Sequence, residues 1–304
     1  MSAADNIATI LSSGARLTVP LAFAACGEYV AQRAGTLNIS VEAMMLGAAF
    51  GSVAVASATG SASVGLLAGA LVGMAVAFVH ANLSHRAQMN TFVVGLVLNA
   101  LVLGLTSYLI TISSFTGHQV WQVDLPVLRD VPVVGPLLFV QRWPVYLLLV
   151  MIPLTWWLLE RSRWGLELRA VGENPQSADV SGIRVNHRRR QALLFCGLLA
   201  GLGGAYLAVG EVGSFNQNMT AGRGYLVIAA VIFGAWRLRR TLIGCAVFGL
   251  ADAMRLALPA LGITVNSQLL IAAPYLLALL AMLFFATKDQ EPRALAKPFH
   301  RGTV

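Results

Sequence analysis

The chain has 304 residues, 57% of them hydrophobic and 11% charged, with a mean hydropathy of +0.73; an ordinary soluble domain carries about 25% charged residues. This composition excludes a water-soluble globule and suits a bilayer, where about 20 apolar residues span the roughly 30 Å hydrocarbon layer. The net charge of +8 comes from short basic segments between apolar runs, the pattern of loops facing anionic lipid, which argues against nucleic-acid binding.

At the N-terminus Asp5 and Asn6 precede any apolar run, so no cleaved signal peptide is expected, and residues 1 to 12 read as a short helix on the membrane surface. Nine apolar stretches follow that read as membrane helices, at about 14 to 31, 38 to 58, 62 to 82, 90 to 112, 143 to 159, 191 to 211, 223 to 236, 241 to 258 and 268 to 286. No run of alternating residues suggests a membrane β-barrel. The second stretch opens on Thr36, Asn38, Ser40 and Glu42, and the seventh is short, so these are the two candidates for a broken or re-entrant helix. They run in opposite directions and both open on polar or Gly-rich sequence, a hint of an inverted repeat. The expected fold is thus an all-α polytopic membrane protein of about nine helices, a single transmembrane domain over 1–304.

Alternate loops sort the charge. Of the 21 basic residues, 16 fall on one side of nine strictly alternating spans, while only Arg129 and Arg142 fall on the other. The positive-inside rule places the first side, and with it the C-terminus, in the cytoplasm of a bacterial-type inner membrane. Residues 113 to 142, with Pro126, Pro132 and Pro136, then read as an external loop with little regular structure. Residues 160 to 190 form a long cytoplasmic connection carrying seven arginines.

Within that connection, Asn174 suits a helix N-cap, Pro175 the first helical position and Gly182 the residue past the C-terminus. A capped helix of about two turns is too short to be stable alone, so it rests either on its own protein or in a groove of a partner.

The segment Leu168 to Pro175, closing on Gly182-Ile183, resembles the coupling-helix loop of permease subunits from ATP-binding-cassette (ABC) importers of branched-chain amino acids, ribose and nucleosides. Three other stretches resemble the same family in the same order: Gly35-Thr36-Leu37-Asn38-Ile39 with Glu42, Gly95 to Asn99 leading into Gly104 to Leu109, and Thr220 to Tyr225 with Ala229 to Gly234. Nearest is the nucleoside and simple-sugar branch, in which two non-identical permeases pair. The resemblance implies a chain that docks a cytoplasmic ABC ATPase through Glu173, Asn174, Pro175, Ala178 and Gly182, receives solute from an extracytoplasmic binding protein and pairs with a second, paralogous permease. No Gly-rich phosphate loop ends at Lys288 or Lys297, so ATP would be hydrolysed by the partner subunit, and no cofactor is expected on this chain.

Ionisable and amide residues at membrane depth are the candidates for a pathway. Glu42 follows Asn38 by one helical turn and lines either a cavity or a helix contact; Asn99, and Phe215 with Asn216 and Asn218, offer amides and a ring to a solute, or equally serve as packing and turn residues. Asp252 and Arg255, three apart, read as an ion pair, and Glu28 and Arg16 as side chains reaching for headgroups. Gly69 with Gly73, Gly47 with Gly51, and Gly197 with Gly201, Gly203 and Gly204 read as helix packing. Cys26, Cys196 and Cys245 suggest neither a disulfide nor a metal site, and no catalytic constellation is visible. The rival readings are an ion-coupled secondary transporter using Glu42 or Asp252, working without an ATPase, and a membrane scaffold whose arginine-rich loop docks a partner without any flux.

Overall fold

The structure is a computed structural model that describes residues 3–124, 140–260, 267–285 and 290–299. Helices α1 (Ala3–Arg33), α2 (Val41–Thr59), α3 (Ala62–His85) and α4 (Thr91–Ile112) are followed by a two-stranded antiparallel ribbon, β1 (Gln122–Asp124) with β2 (Val140–Arg142). Then come α5 (Trp143–Glu160), α6 (Arg163–Glu173), α7 (Pro175–Val180), α8 (Val185–Ala205), α9 (Arg223–Phe233), α10 (Leu238–Ala260) and α11 (Ser267–Phe285). Helix α8 continues without a break into a π-helical segment, Tyr206–Val212.

Six helices among the described residues are long and apolar enough to cross a membrane: Ile10–Arg33, α2, α3, α4, α5 and the composite Val185–Val212. The other three expected spans coincide with α9, α10 and α11, of which α9 has only 11 residues. One expectation needs correction. No separate surface helix precedes α1, because nothing in residues 3–13 breaks the helix, and it runs on for 31 residues. In the loop after α4, Pro126, Pro132 and Pro136 lie outside the described residues; at its two ends Gln122 pairs with Arg142, and Arg142 Nη1 donates to the Val120 carbonyl at 2.9 Å.

Helix α8 is the centre of the bundle and packs against α1, α2 and α3. Lipid tails are as apolar as leucine, so helices in a membrane associate through close fit rather than through expulsion of water. The small residues of α8 supply that fit. A Cβ on Gly73 would lie 2.5 Å from the Gly197 carbonyl, and one on Gly204 would overlap the carbonyl of Met45. Gly204→Ala is therefore expected to push α8 off α2 at a cost of about 1–3 kcal/mol, measured as a lower melting temperature in detergent. Gly104, whose Cβ would meet nothing within 4 Å, is the control position and should tolerate Ala.

Residues 290–299 cross the end of the bundle where α1 and α5 finish. Ala294 N–H donates to the Gly172 carbonyl at 2.9 Å, Ala296 N–H to the Gly35 carbonyl at 3.1 Å, and Arg189 Nη1 to the Lys297 carbonyl at 2.8 Å. Phe299 packs with Val171, Ala178 and Val185. This strap ties α6, α7 and α8 to the turn between α1 and α2.

Candidate functional site

The first amides of a helix have no partner within it, so a helix starting inside the bundle needs acceptors from elsewhere. Two helices here start in that way and face each other. The polar run 34–40 is not helical, and Ser40 at the start of α2 makes no side-chain cap; instead Asn99 Oδ1, from α4, accepts the Ala43 N–H at 2.9 Å. Asn99 Nδ2 donates to the Ile39 carbonyl at 3.0 Å and to Tyr225 Oη at 2.9 Å.

At α9 the cap position is Gly222, at φ +84°, which has no side chain to offer. The carboxylate of Glu42 takes that role from the first turn of α2. Its Oε1 accepts from Thr220 Oγ at 2.6 Å and from Gly222 N–H at 2.8 Å, and its Oε2 accepts from Gly224 N–H at 2.6 Å. One negative charge thus sits between two helix N-termini, where both dipoles favour it. Glycine at 224 is required by the close approach, since a Cβ there would lie 2.6 Å from the Glu42 amide nitrogen.

Beside this junction Asp252, on α10, is shared between two arginines: Arg223 Nη2 at 2.5 Å and Arg255 Nε at 2.9 Å. The Asp252–Arg255 pair follows from spacing; its third member, Arg223, comes from 29 residues away. Arg223 Nη1 also donates to the Met219 carbonyl at 2.9 Å. Tyr275 Oη donates to the Ala221 carbonyl, so α11 holds the same turn.

Two cavities flank the turn 213–222. One, of about 340 Å³, is lined by Glu42, Asn99, Asn218, Gly222 and Tyr225 together with Leu46, Leu96 and Leu103. The other, of about 480 Å³, is lined by Arg16, Glu211, Asn216, Asn218, Asp252 and Arg255. Asn218 belongs to both, in the left-handed conformation (φ +54°) that Asn tolerates better than most residues. Of the five candidate pathway residues, Glu42, Asn99 and Asn218 come together.

Asn38 and Phe215 do not join them. Asn38 is fully buried, with Nδ2 on Cys196 Sγ at 3.3 Å and Oδ1 accepting from Ser40 Oγ at 2.8 Å. Phe215 stacks edge-on against Phe50, with centroids 5.3 Å apart. Glu28 also differs from expectation: it is wholly buried, accepting from Gln32 Nε2 at 2.8 Å, because the turn 34–40 folds back over it. Arg16 lies 3.4 Å from Glu211. Tyr225, Thr220 and Arg223 are site residues that spacing did not single out. Their signal was the Thr220-to-Tyr225 stretch itself, a polar and Gly-rich entry to an apolar helix.

The cavity wall combines leucines with the Asn99 amide, the Tyr225 phenol and the Asn218 side chain, a mostly apolar surface carrying a few hydrogen-bonding groups. Among the described residues no three His, Cys, Asp or Glu side chains gather to hold a metal ion. Asn99→Ala should release the Ala43 N–H and the Ile39 carbonyl as well as Tyr225. Solute affinity is expected to fall roughly tenfold, the equivalent of one lost hydrogen bond of about 1.4 kcal/mol, read by equilibrium binding to the assembled protein.

The second site lies at the strap end of the bundle. Asn174 closes α6 and opens α7, its Oδ1 accepting the Ser177 N–H at 3.0 Å. At the far end Gly182, at φ +85°, lets Ile183 N–H reach back to the Ala178 carbonyl at 3.0 Å. Pro175 and Ala178 turn inward, whereas Glu173, Asn174, Gly182 and above all Val180, 90% exposed, face outward. An isolated valine on a rigid, capped projection is a knob without a hole in this chain.

The family profile described as branched-chain amino acid transport system / permease component matches residues 10–286. TsgC13 of Haloferax volcanii, an ABC transporter permease protein provisionally assigned to glucose, is 34% identical over 96% of this chain and 95% of its own. The nucleoside ABC transporter permease protein NupC of Lactococcus lactis is 31% identical over 97% of both chains. The guanosine ABC transporter permease protein NupQ of Bacillus subtilis is 28% identical over 93% of both.

Proposed function

This chain belongs to the family of branched-chain amino acid transport system permease components, and we propose from that premise that it carries a nucleoside, or failing that a simple sugar, into the cytoplasm. It is a transmembrane permease subunit of an ABC transporter. The observation that carries the solute reading is the cavity where Glu42 joins the starts of α2 and α9, with Asn99, Asn218 and Tyr225 at its wall. A nucleoside offers hydroxyls and a planar base to such a surface; the relatives named for nucleosides and guanosine support that reading, and the one named for glucose supports the sugar.

The chain crosses the membrane nine times in this reading, α9 being the short seventh span, and the C-terminus lies in the cytoplasm. It forms one permease domain that pairs with a paralogous permease, receives solute from an extracytoplasmic binding protein, and binds a cytoplasmic ATPase that hydrolyses the ATP. The coupling residues are Glu173, Asn174 and Gly182, which face outward with Val180 as the protruding side chain, and Pro175 and Ala178, which start the helix and seat it on its own protein. Movement of α7 would pass through the strap to the turn before α2, and so to the Glu42 junction, opening the pathway alternately to either side. Glu42 and Asp252, the two acids considered for proton coupling, are already engaged, Glu42 by three donors and Asp252 by two arginines, which favours ATP over an ion gradient as the driving force.

The test is reconstitution. The tagged chain is purified in mild detergent, its companions are identified by mass spectrometry, and uptake of labelled guanosine and glucose is measured in liposomes with and without ATP. Co-purification of an ATPase and ATP-dependent guanosine uptake are expected. Uptake by the chain alone, abolished by an uncoupler, would overturn the reading.

A further inference from the structure

We propose that the cavity where α1, α5 and α10 meet beside the strap binds the headgroup phosphate of an anionic phospholipid. The site is separate from the solute pathway and requires only that α1 and α5 cross the membrane.

The cavity has a volume of about 590 Å³, and four arginines line it: Arg33, Arg237, Arg239 and Arg293. They arrive from three separate places, the end of α1, the entry to α10 and the strap, so the cluster is a product of folding and not of a basic run. Among the described residues none of the four makes a salt bridge, although the ion pairs Arg169–Glu160 and Arg188–Glu167 form nearby. The Arg33 Nε is buried without any hydrogen-bond partner, an arrangement that costs stability unless an anion supplies the acceptor. Three glutamates share the lining. Glu160 is neutralised by Arg169 at 2.8 Å and accepts from Tyr29 Oη at 3.3 Å, which leaves Glu173 and Glu291 against the four cations. The N-terminal end of α10 begins in the cavity wall at Leu238 and adds its partial positive charge.

The lining also separates a lipid from a soluble anion. Trp156 belongs to it and lies on α5, whose outward face is apolar and open: Val150 and Trp157 are 59% and 53% exposed. The Arg161 guanidinium, 5.8 Å above its ring, holds Trp156 in place. A phosphate among the arginines would therefore have its acyl chains laid along α5, with tryptophan at the level where interfacial aromatics sit. Basic pockets between membrane helices on the cytoplasmic side recognise anionic headgroups in this way, each nearby arginine contributing about 1 kcal/mol. A free phosphate or a nucleotide would use the charges but not the greasy wall.

The experiment uses the permease with its co-purified subunits, delipidated in detergent and offered equal dioleoylphosphatidylglycerol and dioleoylphosphatidylcholine, with retained lipid counted by native mass spectrometry. Enrichment of phosphatidylglycerol is expected for the unaltered protein. It should fall roughly fivefold for each arginine removed, the ratio that 1 kcal/mol represents. The exposed pair R237Q/R239Q tests this without disturbing the core; R33Q is the more demanding variant, and R86Q, a basic residue outside the cavity, should behave as the parent. Equal enrichment in R237Q/R239Q and the parent would overturn the proposal. So would displacement of the lipid by an equal concentration of inorganic phosphate, which would make the ligand a small anion. Loss of enrichment only when the ATPase subunit is bound would also overturn it, by showing that the arginines face a protein.

Discussion

Glu42→Ala should abolish transport while leaving the chain in the membrane, with uptake reduced at least a hundredfold. The truncation strands Thr220 Oγ and the amides of Gly222 and Gly224, each buried group costing about 1–3 kcal/mol when unpartnered. Water cannot repair the loss at low cost, because the carboxylate itself is only 7% exposed. The start of α9 is then no longer held against α2, and Asn218 and Tyr225 lose their position at the cavity. Glu42→Gln keeps the volume but turns an N–H group toward a donor, so it should fall between the two. Uptake into liposomes and a melting curve of the purified complex together check this. Parental stability and uptake in both variants would remove Glu42 from the architecture of the pathway.

Ala178→Pro should produce the opposite phenotype, an intact pathway that no longer responds to ATP. The ring removes the N–H that donates to the Asn174 carbonyl at 3.0 Å, the first internal bond of a six-residue helix, and proline inside a helix costs about 3 kcal/mol. It also enters the side packed on Val171, Val185 and Phe299, since Ala178 is 3% exposed. Recovery of the ATPase subunit in pull-downs is expected to drop more than tenfold, with solute binding unchanged. Glu173→Arg alters only an exposed charge and should weaken the same contact by less. Full ATPase recovery with both variants would separate α7 from coupling.

What was legible in the sequence follows the range of the interaction. The ends of α7 are written locally, in an asparagine, a proline and a glycine within nine residues, and the structure forms the caps those residues imply. Most of the long helices are likewise visible as apolar runs, because a bilayer demands length and greasiness of each one separately. The Glu42 junction is different. Its partners lie 178 to 182 residues away, and nothing near Glu42 says whether a ligand or a helix end will take its charge. The burial of Glu28 was hidden for a related reason: the turn that covers it is irregular, Asn38 within it is held by Cys196 on distant α8, and Trp236, between α9 and α10, donates to Gln32, the side chain that bonds Glu28. The strap escaped altogether, since residues 290–299 have no periodicity and their backbone amides carry the contacts.

The strap has a consequence for biosynthesis. The inward face of α7 is covered by Phe299, and α6 is fastened through Ala294, both near the far end of the polypeptide from the first membrane helices. While a ribosome is still adding that segment, the helices before it can already lie in the bilayer, but the surface proposed to receive the ATPase lacks its backing. A chain stalled or clipped before residue 290 would therefore be a permease without a firm handle, unable to recruit its motor. Synthesis of residues 290–299 thereby becomes a condition for seating α6 and α7.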